Sequence, residues 1–165
     1  MFKKIMVPLD GSEVAECVIP YVDGFIEQGQ VDAIVFVRVI RPISMATALA
    51  ATEESNQAFA GELLIKLNEN EGERKFLIAE YLSDVVKRLK QNRVKLQTAV
   101  LVGKVADSLL HYAENNGIDL ILLATHGRSG VSRWVRGSVA ERVLRASPIP
   151  VLIIRAPAAG SDKQD

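Results

Sequence analysis

Five short apolar runs alternate along the chain with longer segments whose apolar residues recur at helical spacing. The runs are Lys4 to Leu9, Ala33 to Ile40, Leu96 to Val102, Leu120 to Ala124 and Val151 to Arg155. Four of them are almost continuously apolar, as is typical of strands covered by helices on both faces, whereas Leu96 to Val102 is more mixed and suits an edge. The pattern predicts an α/β protein with a parallel sheet and crossover helices.

Apolar residues at helical spacing predict four helices between these strands. The stripes cover Val14 to Phe25, Ile78 to Leu89, Ala106 to Ala113 and a segment that starts near Ser138. Tyr21 is expected on the buried face of the first helix, where Pro20 predicts a kink because it removes a backbone donor. The pattern weakens from Arg41 to Gly72 and through the run NENEGER, which we expect to extend the second helix and to add a mobile loop.

Composition narrows the class of protein further. A chain of 165 residues with 48% hydrophobic residues can bury one core, so we expect a single domain over residues 1–156 and a flexible tail over residues 157–165. Twenty basic residues balance twenty acidic ones, which disfavours nucleic acid or an anionic membrane as a partner. The single Cys17 excludes an intramolecular disulfide, and the apolar runs are too short to span a bilayer. These features predict a soluble cytoplasmic protein.

Two strand-to-helix junctions are the expected places for chemistry, because open α/β sheets bind ligands beyond the carboxyl ends of their strands. The first junction is Pro8 to Ser12, and the second is Ala124 to Gly127 with the loop that leads to Gly137 and Ser138. Glycines and a helix start offer free backbone amides to an anion. Five arginines surround that helix start, namely Arg128, Arg133, Arg136, Arg142 and Arg145.

Several of these residues also have purely structural interpretations. Asp10 could contact a base, a ribose or a metal ion, or it could cap a helix together with Glu13. Ser138 could contact phosphate, cap its helix with Glu141, or do both. His126 has no matched Ser or Cys nucleophile, so positioning or phosphate contact is the expected role rather than general base catalysis. A P-loop is excluded because Val105 follows Gly103 and Lys104.

Three segments carry a resemblance to a known family. IMVPLDGSE, VFVRV and LILLATHGRSGVSRWVRGSVAERVLRASPIPVLIIR are similar to the universal stress protein family, specifically to its ATP-binding branch. The resemblance extends from about Phe2 to Arg155. The glycine motif of that branch fits at Gly127, at the nine residues that follow it, and at Gly137 and Ser138, while Ala124 stands where the motif has its first glycine.

The resemblance implies an open five-stranded parallel sheet of order 3-2-1-4-5 with helices on both faces, the adenine nucleotide alpha hydrolase-like fold. It implies that Pro8 and Asp10 line the adenosine side and that Val39 offers backbone groups to adenine. The residues implied around the ribose and phosphates are Ala124, Thr125, His126, Gly127, Arg128, Ser129 and Gly130, with Gly137, Ser138 and Val139 at the phosphate tail.

By this resemblance the chain is an ATP-binding regulatory or stress-response protein, with Mg²⁺ or Mn²⁺ at the phosphates and AMP or cyclic AMP as other possible ligands. The alternatives are slow ATP hydrolysis near His126 and Asp10, or an interaction module whose cleft is empty. We rank binding above hydrolysis because nothing in the sequence positions a water or a second substrate. The resemblance also implies a homodimer through Val151 to Arg155, a sheet edge in the implied order.

Overall fold

The predicted strands form one parallel sheet. The computed structural model describes residues 2–29, 31–42, 57–89, 93–126 and 138–157. The strands are β1 (Lys4–Pro8), β2 (Ala33–Ile40), β3 (Lys95–Val102), β4 (Leu120–His126) and β5 (Val151–Ala156). Their order is β3-β2-β1-β4-β5 with all neighbours parallel, which confirms the expected order and the edge position of β3.

The described helices form a layer on each face of the sheet. They are α1 (Glu13–Glu16), α2 (Ile19–Gln28), α3 (Gln57–Arg88), α4 (Val105–Asn115) and α5 (Ser138–Ala146). On one face α2 and α3 bury residues such as Val22 and Leu82 against Phe36, while on the other α4 and α5 bury Leu109 and Val143. Among these described helices, none combines the length and apolarity needed to cross a membrane.

The first predicted helix is two helices, so the expectation of one kinked helix was wrong. The break falls at Cys17 and Val18, and Pro20 lies in the first turn of α2. A proline is tolerated there because the first amides of a helix have no partner within the helix, so the chain restarts instead of bending. After the restart Val18, Val22 and Ile26 face the core, and Tyr21 is 51% exposed instead of buried.

The helix α3 is longer than the apolar stripe that predicted it. The expected helical extension is confirmed, but residues 68–74, the NENEGER run, lie within α3 and not in a loop. Lys75 and Glu71 form an ion pair of 2.9 Å one turn apart, a contact that supports helix in a polar segment. Residues 43–56 lie outside the described part of the chain.

The sheet opens between β1 and β4, where the strand order reverses. The pairing of β1 with β2 extends over five positions, whereas its pairing with β4 covers Ile5 with Leu120 and Met6 with Ile121. The chain leaves β1 toward the α2 and α3 layer and enters α5 on the opposite layer, so the two connections diverge. Such a reversal leaves a crevice at the carboxyl ends of the strands.

Candidate functional site

A cavity of about 550 Å³ occupies this crevice. Its volume lies within the range of sites for small ligands, about 300–1,000 Å³. It is bounded by the turn after β1, the carboxyl ends of β2 and β4, and parts of α3, α4 and α5. Six of the predicted site residues line it: Pro8, Asp10, Val39, Ala124, Thr125 and Val139.

The other predicted site residues belong to the connection between β4 and α5. His126 is the last residue of β4 and Ser138 is the first residue of α5, so both ends of the expected phosphate loop reach this end of the sheet. Gly127, Arg128, Ser129, Gly130 and Gly137 lie outside the described residues.

Asp10 does not cap the helix that follows it. Ser12 is the N-cap of α1, and its hydroxyl accepts a hydrogen bond of 3.1 Å from the Ala15 amide. The carboxylate of Asp10 instead accepts hydrogen bonds from the amide and the hydroxyl of Ser12, at 2.9 and 2.6 Å. The capping interpretation of Asp10 is therefore wrong, and its carboxylate is oriented at the mouth of the cavity by the residue that does the capping.

The environment of Asp10 favours its ionised form. Partial burial alone would raise the pKa of this carboxyl group, but the hydrogen bonds from Ser12 and the positive charge of Arg38 outweigh it. The pKa of Asp10 therefore lies below its ordinary value. A carboxylate that stays ionised can accept hydrogen bonds from a ligand or contact a cation at neutral pH.

Arg38 connects the turn after β1 to helix α3. Its guanidinium carbon lies 5.3 Å from the centre of the Tyr81 ring, within the range of a cation–π contact. A Cβ atom at Gly11 would lie only 2.7 Å from the Arg38 Nη1 atom. Gly11 also has a φ of 81°, which favours glycine, so this position serves both the turn and the approach of the arginine.

Glu16 of α1 binds the hydroxyl group of Tyr81. Its carboxylate accepts a hydrogen bond of 2.8 Å from the Tyr81 hydroxyl and another of 2.8 Å from Arg88. Burial raises the pKa of the Tyr81 hydroxyl, and the bond to Glu16 raises it further. For Glu16, slight burial would raise the pKa, but the bonds from Arg88 and Tyr81 lower it overall. Arg38 thus rests on a ring that is fixed at its hydroxyl end.

The backbone of Val39 points into the gap beyond β1. The Leu9 amide donates to the Val37 carbonyl at 2.8 Å, while the Ile40 carbonyl accepts from Gly103, which follows β3. Peptide groups alternate sides along a strand, so the amide and carbonyl of Val39 face the same side as those of Val37. Because β1 ends at Pro8, these two groups extend past their neighbouring strand and face the cavity.

Three arginines in the cavity wall were missed by sequence reasoning. Arg38, Arg41 and Arg74 line the cavity, and Asp10 is the one acidic residue of its described wall. Arg38 was visible as a charge inside the apolar run VFVRV, which is unusual for a strand covered on both faces. Arg74 had no such signal, because its position depends on how α3 packs against β2.

Two members of the predicted basic cluster are paired with acids. Arg142 forms an ion pair of 2.9 Å with Asp107, and Arg145 forms one of 2.8 Å with Glu141. The carboxylate of Glu141 that was considered for a capping box is therefore engaged by Arg145. The remaining members of the cluster, Arg128, Arg133 and Arg136, lie outside the described residues.

The described side chains do not form a metal site by themselves. Within the described ranges, no group of three or more His, Cys, Asp or Glu side chains comes together. Mg²⁺ does not require such a group when a bound phosphate chain and water supply most of its ligands. Asp10 is the described carboxylate that could contribute one oxygen to such an ion.

An open parallel sheet with a crevice at its order reversal defines the class of doubly wound α/β proteins, which bind their ligands in such a crevice. Within that class the chain belongs to the universal stress protein family, whose model matches residues 1–155. It is 31% identical to universal stress protein MJ0531 of Methanocaldococcus jannaschii, over 95% of this chain and 84% of that protein. It is 29% identical to MJ0577 of the same organism, over 94% and 96%.

Solved structures of the family share the fold. The structure of MJ0577 superposes with a TM-score of 0.60 at 27% identity, covering 95% of this chain and 98% of that one. A universal stress protein in complex with cAMP matches with a TM-score of 0.56 at 17% identity, covering 94% and 98%. A family protein from Arabidopsis thaliana with AMP bound matches with a TM-score of 0.54 at 14% identity, covering 97% of both chains. The fold of the chain is thus the adenine nucleotide alpha hydrolase-like fold of this family.

Proposed function

We propose that the chain binds ATP in the cleft between β1 and β4 and acts as a nucleotide-dependent regulatory protein of the stress response. The observation that carries this proposal is the convergence of six predicted site residues, from β1, β2, β4 and α5, on one cavity. Relatives of the same fold hold cAMP or AMP, which supports an adenine nucleotide as the ligand class.

The chemistry of the cavity wall supports one orientation of the nucleotide. Among the described residues, the amide and carbonyl of Val39 have no backbone partner past the end of β1, so they offer a donor and an acceptor side by side, which suits the edge of an adenine base. Asp10 would accept from the ribose or the base. The phosphates would then extend toward the connection from Gly127 to Ser138, which ends where α5 begins, and the first amides of a helix have no partner within the helix.

A divalent ion fits this arrangement as a companion of the phosphates. Bound Mg²⁺ or Mn²⁺ would neutralise charge on the phosphate oxygens, with Asp10 as the contributing carboxylate. We place binding ahead of hydrolysis as the function, because the described wall offers no second acid or base beside Asp10 to activate a water.

The direct test is mass spectrometry of the small molecules released when the purified protein is denatured, followed by calorimetry with ATP, AMP and cyclic AMP. We expect a released adenine nucleotide and saturable binding of ATP. Gly137→Val should abolish that binding while the melting temperature stays close to that of the wild type. Binding of ATP by Gly137→Val with unchanged affinity would contradict the phosphate site, and no binding of any adenine nucleotide would contradict the function.

We also propose that two chains form a homodimer through β5. This strand is an edge of the sheet, and its Leu152 is 40% exposed, as is typical of a surface that another chain could cover. The Pro150 carbonyl accepts from the Ile121 amide, so the peptide groups of the even-numbered residues of β5 face β4. Those of Val151, Ile153 and Arg155 therefore face outward, where an antiparallel copy could pair with them.

Proline substitutions at neighbouring positions of β5 test the dimer. Ile153→Pro removes an outward amide and should dissociate the dimer while leaving the pairing with β4 intact. Leu152→Pro removes an amide that faces β4 and should lower stability instead. Light scattering measures the mass of each variant, and a wild type that is monomeric at micromolar concentration would contradict the proposal.

A further inference from the structure

The cavity has a cationic side that the proposed ATP orientation leaves unused. We call Arg38, Arg41 and Arg74 the arginine face. All three line the same cavity, and the one carboxylate of the described wall belongs to Asp10. Within the described ranges, neither Arg41 nor Arg74 forms an ion pair. A chain with no net charge therefore concentrates positive charge at one place.

Two members of the arginine face, Arg38 and Arg74, lie on the α3 side of the sheet, and Arg41 directly follows the end of β2. Side chains alternate along a strand, so Arg38 projects to the same face as Phe36, which packs with Leu82 and Val85 of α3. The contact of Arg38 with Tyr81 agrees with this direction. Arg74 precedes Ile78 by four residues and Tyr81 by seven, so the three share one face of α3.

The expected phosphate loop leads to the other side of the sheet. It enters α5, whose Val143 packs with Met6 and Val35 in the opposite layer. A nucleotide whose base meets Val39 and whose 5′-phosphates reach the start of α5 would thus leave Arg38 and Arg74 on the far side of its base and ribose. That face is therefore left to a different anionic group.

We propose that the arginine face is a subsite for a second phosphoryl group, separate from the 5′-phosphate chain. Guanidinium groups bind phosphate through paired, charge-assisted hydrogen bonds, and a cavity lined by several of them favours a dianion. The group could belong to the nucleotide itself, as a 2′- or 3′-phosphate, or to a free phosphate or pyrophosphate bound beside it. The subsite rests on the proposed nucleotide-binding function for the position of the base.

Calorimetry with matched nucleotides tests the subsite. We expect adenosine 3′,5′-bisphosphate or its 2′,5′ isomer to bind at least about tenfold more tightly than AMP, a difference of about 1.4 kcal/mol. If the group is a free anion, pyrophosphate should instead bind to protein that is already saturated with AMP. The subsite is overturned if neither bisphosphate gains over AMP and pyrophosphate does not bind.

Substitutions connect the gain to the arginines. The double variant Arg41→Gln with Arg74→Gln should lose the preference for bisphosphate, or the pyrophosphate binding, while its AMP affinity stays within about twofold. The single variant Arg74→Gln has Lys75→Gln as its matched control, because Lys75 is the exposed neighbour of Arg74 and each substitution removes one positive charge from α3. An equal loss of bisphosphate preference or pyrophosphate binding in Lys75→Gln would indicate a general effect of positive charge on α3 and would overturn the subsite.

The same measurements separate this inference from the proposed function. AMP binding with no gain for either bisphosphate and no binding of pyrophosphate would sustain the function and overturn the subsite. Pyrophosphate binding that depends on Arg74, in a protein that binds no adenine nucleotide, would sustain the subsite and overturn the function. The absence of both kinds of binding would overturn both.

Discussion

The turns that follow β1 and β3 share a backbone feature, yet only one of them brings charged groups to the cleft. Each contains a glycine with positive φ, Gly11 at 81° and Gly103 at 150°. In each a side chain occupies the place of a Cβ, namely Arg38 after β1 and Ser108 after β3. The first turn lies beside the reversal of strand order and the second near an edge. A glycine at a strand end therefore indicates local geometry, and function is indicated by the charges around it.

The helices that begin at these turns differ in how they are stabilised. The helix α1 has four residues, none of them buried, and it depends on the side-chain cap of Ser12. The helix α4 has eleven residues and buries Ala106, Leu109 and Ala113, and its N-cap Lys104 makes no side-chain hydrogen bond. The burial of its apolar residues therefore stabilises α4, whereas a side-chain hydrogen bond at the N-cap stabilises α1.

Alanine at the two glycines should have the largest effect on stability. A residue other than glycine at positive φ costs about 1–3 kcal/mol. Gly103→Ala should cost more than Gly11→Ala, because its Cβ would meet the short Ser108 side chain at 2.5 Å, whereas Arg38 meets Gly11 with the end of a flexible chain. Chemical denaturation of both variants measures the difference.

The double variant Gly103→Ala with Ser108→Ala provides the control. Removing the Ser108 hydroxyl should restore part of the lost stability, a coupling that a double-mutant cycle detects. Of the two single variants, only Gly11→Ala should also weaken nucleotide binding. Equal losses of affinity in both would contradict the distinction between the turns.

Removing the carboxylate at each turn compares their functions directly. Asp10→Ala should weaken ATP binding about ten- to a hundredfold, the value of one or two hydrogen bonds to a charged group. The melting temperature of the free protein should change little, because Asp10 is exposed and does not cap α1. Asp107→Ala removes a carboxylate from the first turn of α4, where it pairs with Arg142, and should leave affinity unchanged. Normal ATP binding by Asp10→Ala would remove Asp10 from the site.

Local pattern and resemblance predicted different parts of this fold. The bounds of β2 were predicted to the residue and those of β4 to within two residues, because buried parallel strands are continuously apolar. The strand order came from the resemblance alone, since it depends on contacts between distant segments. The break before α2 was missed because Pro20 is compatible with both a kink and a helix start.

For the candidate site too, local pattern and resemblance predicted different residues. Asp10 was found because it follows a strand end, and Val39 because the resemblance pointed to its backbone. The N-cap is Ser12 and not Asp10. Both residue types are preferred at N-caps, so the sequence alone could not decide between them. Arg74 was missed because only the packing of α3 on the sheet brings it into the same cavity wall as Arg38, and no local pattern records that packing.

Removing the N-cap of α1 or adding one to α4 should have a smaller effect on stability. Ser12→Ala removes the acceptor for the Ala15 amide and should cost about 0.5–2 kcal/mol. Lys104→Ser should add the cap that α4 lacks and stabilise the protein by about 0.5–1 kcal/mol, since Lys104 already has the extended backbone of an N-cap. Thermal unfolding measures both changes. A Lys104→Ser variant that is less stable than the wild type would show that α4 cannot use a side-chain cap.

The pH dependence of stability should show the smallest difference, and it should come from the turn after β1. The folded-state pKa values of Asp10 and Glu16 lie below their ordinary values of 3.8 and 4.5. A lowered pKa stabilises the folded state above the ordinary value, and this stabilisation is lost as pH falls through the folded-state pKa.

Glu16→Gln should test this dependence, because glutamine has the same shape and keeps one of the two accepting oxygens but carries no charge. At pH 7 the variant should be slightly less stable than the wild type, and the two should converge as the pH falls below 4.5, the ordinary pKa of a glutamate, and through the lower folded-state pKa. The effect should be small since Arg88 and Glu16 both contact solvent, which screens the pair. Urea denaturation across this range measures it, and a constant difference between the two proteins at every pH would exclude the carboxylate charge as its origin.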